Sequence, residues 1–236
     1  MRKKIYITID DAPSENTKEK LDFLLENNIS VIWFLRGIHV EKHLEETAYL
    51  IANDAILGNH SYSHPYFSKI SIESAKEEIL KTEKLINNAY KKANKTRKNK
   101  LFRFPFMDRG GVNEKILQTF LKDQGFKKLE FENINYNYFQ NNKLGDFIDA
   151  PWTFDMKDYA LLSNKYMKKH NLYDVKDFIK RMEIDDVENG FGLQSNNSSD
   201  IVLFHDFATE IEIFIPVLEF LINKNCEFCL PKGIKL

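Results

Sequence analysis

The stretch "ITIDDAPS" (residues 7–14) ends an apolar run on two adjacent carboxylates, Asp10 and Asp11. "NHSYSHP" (59–65) sets His60 and His64 four residues apart. Two neutral imidazoles and one carboxylate make a three-ligand zinc site with a fourth position open for water. A single helical turn over 60–64 would put both rings on one side. One aspartate could then ligate the metal while the other stays free as a base. That requires the strand to end there, because neighbours in a regular strand point to opposite faces; Pro13 is placed to help end it. Taken alone, "DDAPS" fits a surface turn equally well. A second pair at the same spacing, His39 and His43 in "HVEKH" (39–43), reads as part of a charged surface helix rather than a metal site.

The elements that must position these groups alternate along the chain. Apolar runs predict strands over 4–9, 30–37, 55–60, 100–106, within 145–155 and over 200–206, with the tail 226–231 closing the structure. Helical spacing covers 17–28, with Leu21, Leu24 and Leu25 on its apolar side, and 41–54. It returns over 71–93 behind Ser71 as N-cap, 113–125 with Gly125 at the C-cap, 174–189 and 211–225. This β-then-α rhythm implies a parallel sheet, barrel-like or doubly wound, and one domain over residues 1–236. In barrels of that class chemistry gathers at the carboxyl ends of strands. Asp10 and Asp11, His60 and His64, Arg103, Asp155 and Asp158, and His205 and Asp206 stand on or just after five such strands. A purely structural protein has no need of that pattern.

Composition narrows the partner. The 34 basic residues balance 35 acidic ones to a net charge of −1, which gives no footing for nucleic acid or an anionic membrane surface. The basic run "KKANKTRKNK" (91–100) reads as a solvated loop. No stretch approaches the ~20 apolar residues of a transmembrane helix. The N-terminal apolar run is shorter than a signal-peptide core, so a cytoplasmic protein is expected. Cys226 and Cys229, in "CEFC", would face opposite ways on a strand and read as free thiols.

Five short motifs, in order, resemble those of the polysaccharide deacetylases, the NodB-homology domain of carbohydrate esterase family 4. "TIDDAP" (8–13) looks like that family's T-F-D-D-G-P, and "HSYSH" (60–64) like its His-Ser/Thr-x-x-His. "RFPF" (103–106) is similar to Arg-x-Pro-Tyr/Phe, "WTFDMKDY" (152–159) to Asp-x-x-Asp-Trp, and "VLFHD" (202–206) to Leu-x-His-Asp/Asn. The resemblance implies an α/β fold, a distorted (β/α) barrel of seven parallel strands. It further implies a general base at Asp10, metal ligands at Asp11, His60 and His64, and an Arg103 paired with Asp10. His205 would be the general acid, oriented by Asp158 or Asp155, with Asp158 favoured because an aromatic follows it. Leu203 and Trp152 would wall the acetyl-binding groove.

The chemistry of amide hydrolysis suits that division. Zn2+, or another divalent ion such as Co2+ or Ni2+, polarises the carbonyl and acidifies water. A free carboxylate takes the proton, a histidinium returns one to the leaving amine, and the backbone N–H of Phe106 is available to an oxyanion. The implied substrate is an N-acetylated amino sugar in a glycan or in lipid- or nucleotide-linked form. Another non-peptide C–N bond, as in formamides or cyclic ureides, and a non-catalytic glycan-binding barrel are the alternatives. The chain departs from the family at Ala12, where a glycine is usual and a positive φ would cost about 1 kcal/mol, and at Tyr159, where tryptophan is usual. The stretches 133–143 and 157–174 match no motif; they are expected beside the groove, with His170 on the surface.

Overall fold

A computed structural model describes residues 2–184, 193, 195, 197–207 and 209–234. In chain order the elements begin β1 (Lys4–Ala12), α1 (Thr17–Glu26), β2 (Ile32–Leu35), α2 (Gly37–Lys42), α3 (Leu44–Ala52) and β3 (Ile56–Asn59). They continue through α4 (Ile72–Lys92), α5 (Glu114–Asp123), α6 (Asn137–Asn141), β4 (Phe154–Asp155), α7 (Asn164–His170) and α8 (Val175–Met182). The last are β5 (Asp200–His205), α9 (Ile211–Asn223) and β6 (Glu227–Phe228).

The strands form one parallel sheet in the order β3-β2-β1-β5-β4, with β6 beside the start of β1. Single links carry the sheet round toward closure. Asn59 bridges Phe102 in parallel fashion, and the Ala150 N–H donates to the Phe102 carbonyl at 2.8 Å. The result is an α/β barrel, distorted where segments 101–104 and 150–153 replace regular strands. The sheet has six strands among the described residues, with one further bridged segment at Phe102.

Strand alternation sorts the side chains into two buried layers, as a sheet covered on both faces requires. Ile5, Ile7 and Ile9 of β1, Trp33 and Leu35 of β2, and Val202 and Phe204 of β5 join the large cluster that α1 and α9 complete with Leu21, Leu24, Phe214 and Leu218. The opposite faces carry Thr8 and Asp10, Phe34, and Leu203 and His205 toward the barrel interior. Gly58 makes room there: a Cβ at this position would come 2.5 Å from the Phe34 ring. The Arg103 guanidinium lies 4.5 Å above that ring.

Several elements differ from their sequence pattern, each for a local reason. Residues 100–106 form a bridge rather than a strand, because Pro105 lacks a donor and Phe106 and Met107 take positive φ (57° and 55°). Only Phe154–Asp155 of 145–155 pairs as strand. The Ala150 and Pro151 carbonyls instead accept from Arg103 at 3.0 and 2.9 Å. The helix expected over 41–54 is two helices broken at His43 (φ −118°, ψ 64°). Its first part, α2, is docked on the 60–64 loop through the Gly37 and Ile38 N–H groups, which donate to the Ser61 and Tyr62 carbonyls. Leu25 of α1 is exposed, unlike Leu21 and Leu24. The basic run 91–100 is not simply solvated, since Arg97 pairs at 2.8 Å with buried Glu83. Cys226 and Cys229 are free thiols. The expected helix 174–189 is observed as Val175–Met182; residues 185–189 lie outside the described residues.

Candidate active site

The first cluster depends on one irregularity in β1. Thr8 and Ile9 pair with Ile32 and Trp33, but Ala12 pairs with Leu35, so β1 holds one extra residue across from β2. This β-bulge turns Asp11 (φ 59°) to the same cavity as Asp10. Aspartate tolerates the left-handed region better than most residues. The strand therefore does not end before the pair, as the sequence suggested; it bulges. Ala12 carries no positive φ, so the strain expected at that departure does not arise.

His60 and His64 converge through a loop, not a helical turn. Ser61 and His64 have φ of 64° and 65°. Asn59 Oδ1 accepts from the Ser61 N–H at 2.8 Å. Glu78 of α4 accepts from the Tyr62 N–H, the Ser63 N–H and the Ser63 hydroxyl at 2.7–2.9 Å. So tied, the two rings stand 4.9 Å apart.

Protonation in this cluster can be read from hydrogen bonds. His60 Nδ1 lies 2.9 Å from the Arg103 carbonyl, which can only accept, so Nδ1 carries the proton. Burial drives the His60 imidazole down to about 3 and that of His64 to about 2, so both are neutral. His60 Nε2 then presents a lone pair, yet it lies 3.4 Å from Asp10 Oδ2, and His64 Nε2 lies 3.7 Å from Asp11 Oδ1. Asp11 Oδ1 is buried and has no hydrogen-bond partner. One donor atom each from Asp11, His60 and His64 falls within a 4.8 Å group. Three potential ligand atoms gathered at one point, and an orphaned buried carboxylate oxygen, fit a bound cation. Burial pushes Asp11 up to about 7 without one.

Asp10 has a different environment. Its Oδ1 accepts from Arg103 at 2.8 Å, and Arg103 is otherwise spent on Thr8, Ala150 and Pro151. Burial raises the Asp10 carboxyl, against the opposing pull of Arg103 and His205. Across the cavity, at the end of β5 and paired in register with Asp10, stands His205. Its Nδ1–H donates to Asp158 Oδ1 at 2.6 Å and its backbone N–H to Asp158 Oδ2 at 2.7 Å, while the Thr209 hydroxyl also donates to Asp158. Burial alone would lower this imidazole, but Asp158, Asp155 and Asp11 outweigh it and raise it to about 10. Asp155 does not touch His205 through a hydrogen bond; it lines the cavity and accepts from the Lys157 N–H.

Leu203, Trp152 and Phe106 line the same cavity of about 490 Å³. Phe106 packs edge-on to His64 (4.5 Å) and stacks on Tyr66 (4.1 Å), and its N–H has no partner among the described residues. Stretch 157–174 supplies Tyr159, Tyr166, Lys169 and His170 to the cavity, so His170 is not simply a surface residue. Stretch 133–143 does not reach it and borders a separate depression.

These features coincide with a family match. The sequence pattern described as Polysaccharide deacetylase fits residues 1–128, more than half of the chain. The chain belongs to the polysaccharide deacetylase family. Among curated members, the peptidoglycan-N-acetylglucosamine deacetylase of Bacillus cereus is 36% identical over 86 residues, covering 36% of this chain and 31% of that protein. The chain thus aligns with less than half of that relative's length. A crystal structure of a peptidoglycan N-acetylglucosamine deacetylase in complex with 4-naphthalen-1-yl-N-oxidanyl-benzamide superposes with a TM-score of 0.60 at 18% identity, covering 96% of this chain and 85% of that one. A family 4 pseudoenzyme from Bacillus anthracis superposes equally well (TM-score 0.60, 16% identity, 96% and 63% coverage). The fold alone therefore does not decide activity; the site residues must.

Three supporting groups escaped the sequence reading. His39 Nδ1–H donates to the Asp11 carbonyl at 2.7 Å and so braces the bulge from α2. Fully buried Lys20 donates to the Asp206 carboxylate at 2.9 Å, and Thr17 donates to the same carboxylate. The Asp206 N–H in turn donates to the Asp10 carbonyl at 2.8 Å, tying α1 to both β1 and β5 beneath the site. Tyr159 packs edge-on against His205 at 5.4 Å. The only sequence signal for His39 was its spacing to His43, which pointed elsewhere.

Proposed function

We propose that this chain is a metal-dependent hydrolase that removes the N-acetyl group from an N-acetylated amino sugar. The observation that carries the reading is the pairing, in one cavity, of an Asp11–His60–His64 donor cluster, whose Asp11 Oδ1 has no hydrogen-bond partner among the described residues, with a His205 hydrogen-bonded to Asp158.

Asp11, His60 and His64 would hold the cation, zinc by its preference for imidazole and carboxylate, with cobalt or nickel as possible replacements. When bound, it supplies Lewis acidity, polarising the acyl oxygen and acidifying a water. Asp10 would serve as the base that takes a proton from the attacking water. Burial keeps it more basic than an exposed carboxylate, and Arg103 fixes its orientation. The Phe106 N–H, without a partner among the described residues, is available to the developing oxyanion. His205, charged through Asp158, hands its proton to the departing amine. Leu203 and Trp152 shape the pocket around the acyl group.

The test pairs metal content with acetate release from N-acetylglucosamine oligomers and phosphorylated N-acetylglucosamine. Stoichiometric divalent metal together with acetate release supports the reading. Metal without release from any N-acetyl sugar overturns deacetylation and turns the question to other C–N bonds or to a binding role.

A further inference from the structure

Outside the catalytic residues, the feature of the cavity with no evident job is the α7 wall, which carries the Lys169 ammonium beside the His170 imidazole. Tyr166, Lys169 and His170 stand at i, i+3 and i+4 on α7, so one helix face presents all three to the cavity. Of the other cations of the cavity, Arg103 holds Asp10, while Arg36 donates to the Ser63 carbonyl at 2.8 Å and its Nε has no hydrogen-bond partner among the described residues. Lys169 and His170 pair with no acid among the described residues. They also form the saddle to a second depression of about 350 Å³, lined by Lys157, Lys180, Arg181 and Asp177; Asp155 interacts with both Lys157 and Arg181. The field is felt within the wall. Burial first, and then the charges of Lys157, Lys169 and Arg181, hold His170 below its ordinary range.

Resting on the deacetylase reading, we propose that the substrate is an N-acetyl amino sugar carrying a phosphate or diphosphate, with the anionic group recognised by Lys169 and His170 at the saddle between the two depressions. A neutral glycan would leave this wall without a partner. The sugar ring lies in the larger cavity beside Tyr166, and the phosphate oxygens accept from the Lys169 ammonium and a His170 ring N–H. A diphosphate extends further, toward Lys180. A monophosphate stops at the saddle.

The experiment is a calorimetric titration, with parallel acetate release, using N-acetylglucosamine, its 1-phosphate, UDP-N-acetylglucosamine and chitotetraose on the wild type and on Lys169→Ala and His170→Gln. Both substitutions fall on the outer wall, away from the catalytic groups. The phosphorylated sugars should bind at least about tenfold more tightly than the neutral ones, and Lys169→Ala should remove about tenfold of that preference. The neutral substrates should be unaffected by either variant. Preference for the 1-phosphate over UDP-sugar, or the reverse, distinguishes a monophosphate from a diphosphate substrate. Equal affinity for neutral and phosphorylated sugars overturns the proposal. So does a phosphate preference that Lys169→Ala leaves intact, since the anion then sits on the metal cluster. Phosphate-dependent binding with no acetate release from any sugar keeps the recognition site and overturns deacetylation, so the two failures are separable.

Discussion

Two clusters in this cavity are made of the same two kinds of side chain in opposite proportion. Asp11, His60 and His64 form one; Asp155, Asp158 and His205 form the other, and in each a set of donor atoms lies within 4.8 Å. They hold opposite protonation. The His60 Nδ1–H rests on a backbone carbonyl, a neutral acceptor that cannot offset the loss of water, so burial wins and the ring stays neutral. The His205 Nδ1–H rests on a carboxylate that is itself held by Thr209 and the His205 backbone, so the ion pair wins and the ring stays charged. The partner of Nδ1, more than the ligand count, separates a lone-pair donor from a proton donor.

That contrast can be broken from either side. The largest effect belongs to His60→Ala, which removes a donor from the neutral cluster. Metal should be lost, and activity should fall about 10³-fold or more, checked by elemental analysis and acetate release. Asp10→Asn comes next: metal retained, kcat down about 10²–10⁴-fold. An active Asp10→Asn enzyme would show that the base lies elsewhere. Asp158→Asn converts the charged cluster toward the neutral one. His205 must be protonated to donate, so activity falls as pH rises through its pKa, now raised to about 10. Without the Asp158 carboxylate the imidazole falls, because the strongest opponent of burial is gone and only Asp155 and Asp11 still act against it. The alkaline limb of the kcat/KM profile should therefore move to lower pH, with about 10²-fold less activity at neutral pH. An unmoved limb would remove His205 from the acid role. The smallest effect is Thr209→Val, which takes one donor from Asp158 and should cost less than about tenfold, with a limb shift in the opposite direction or none. A carboxylate with fewer donors is the stronger proton-holder for His205.

The chemistry was more legible in the sequence than the geometry that delivers it. Asp10, Asp11, His60, His64, Arg103 and His205 could be found because hydrolysis needs those groups at strand ends. The α/β alternation showed where the strand ends fall. The bulge could not be found, because one extra residue changes no apolar period; it is seen only when Ala12 is paired with Leu35. The 60–64 loop mimics helical spacing and reaches the same convergence by two left-handed residues and a clamp from Glu78. His39 was hidden for another reason: it read as part of a charged surface helix, and its contact with the Asp11 carbonyl forms only once α2 is packed against β1. The wall on α7 carried no motif, since its residues meet the cavity only after stretch 157–174 has folded back across the barrel mouth.

The most direct test of the two-cluster account is metal content measured side by side in the wild type, His60→Ala and Asp158→Asn. About one divalent ion per chain in the wild type and in Asp158→Asn, with none in His60→Ala, is the predicted result. Metal lost from Asp158→Asn and kept in His60→Ala would place the cation on the wrong side of the cavity and contradict the account.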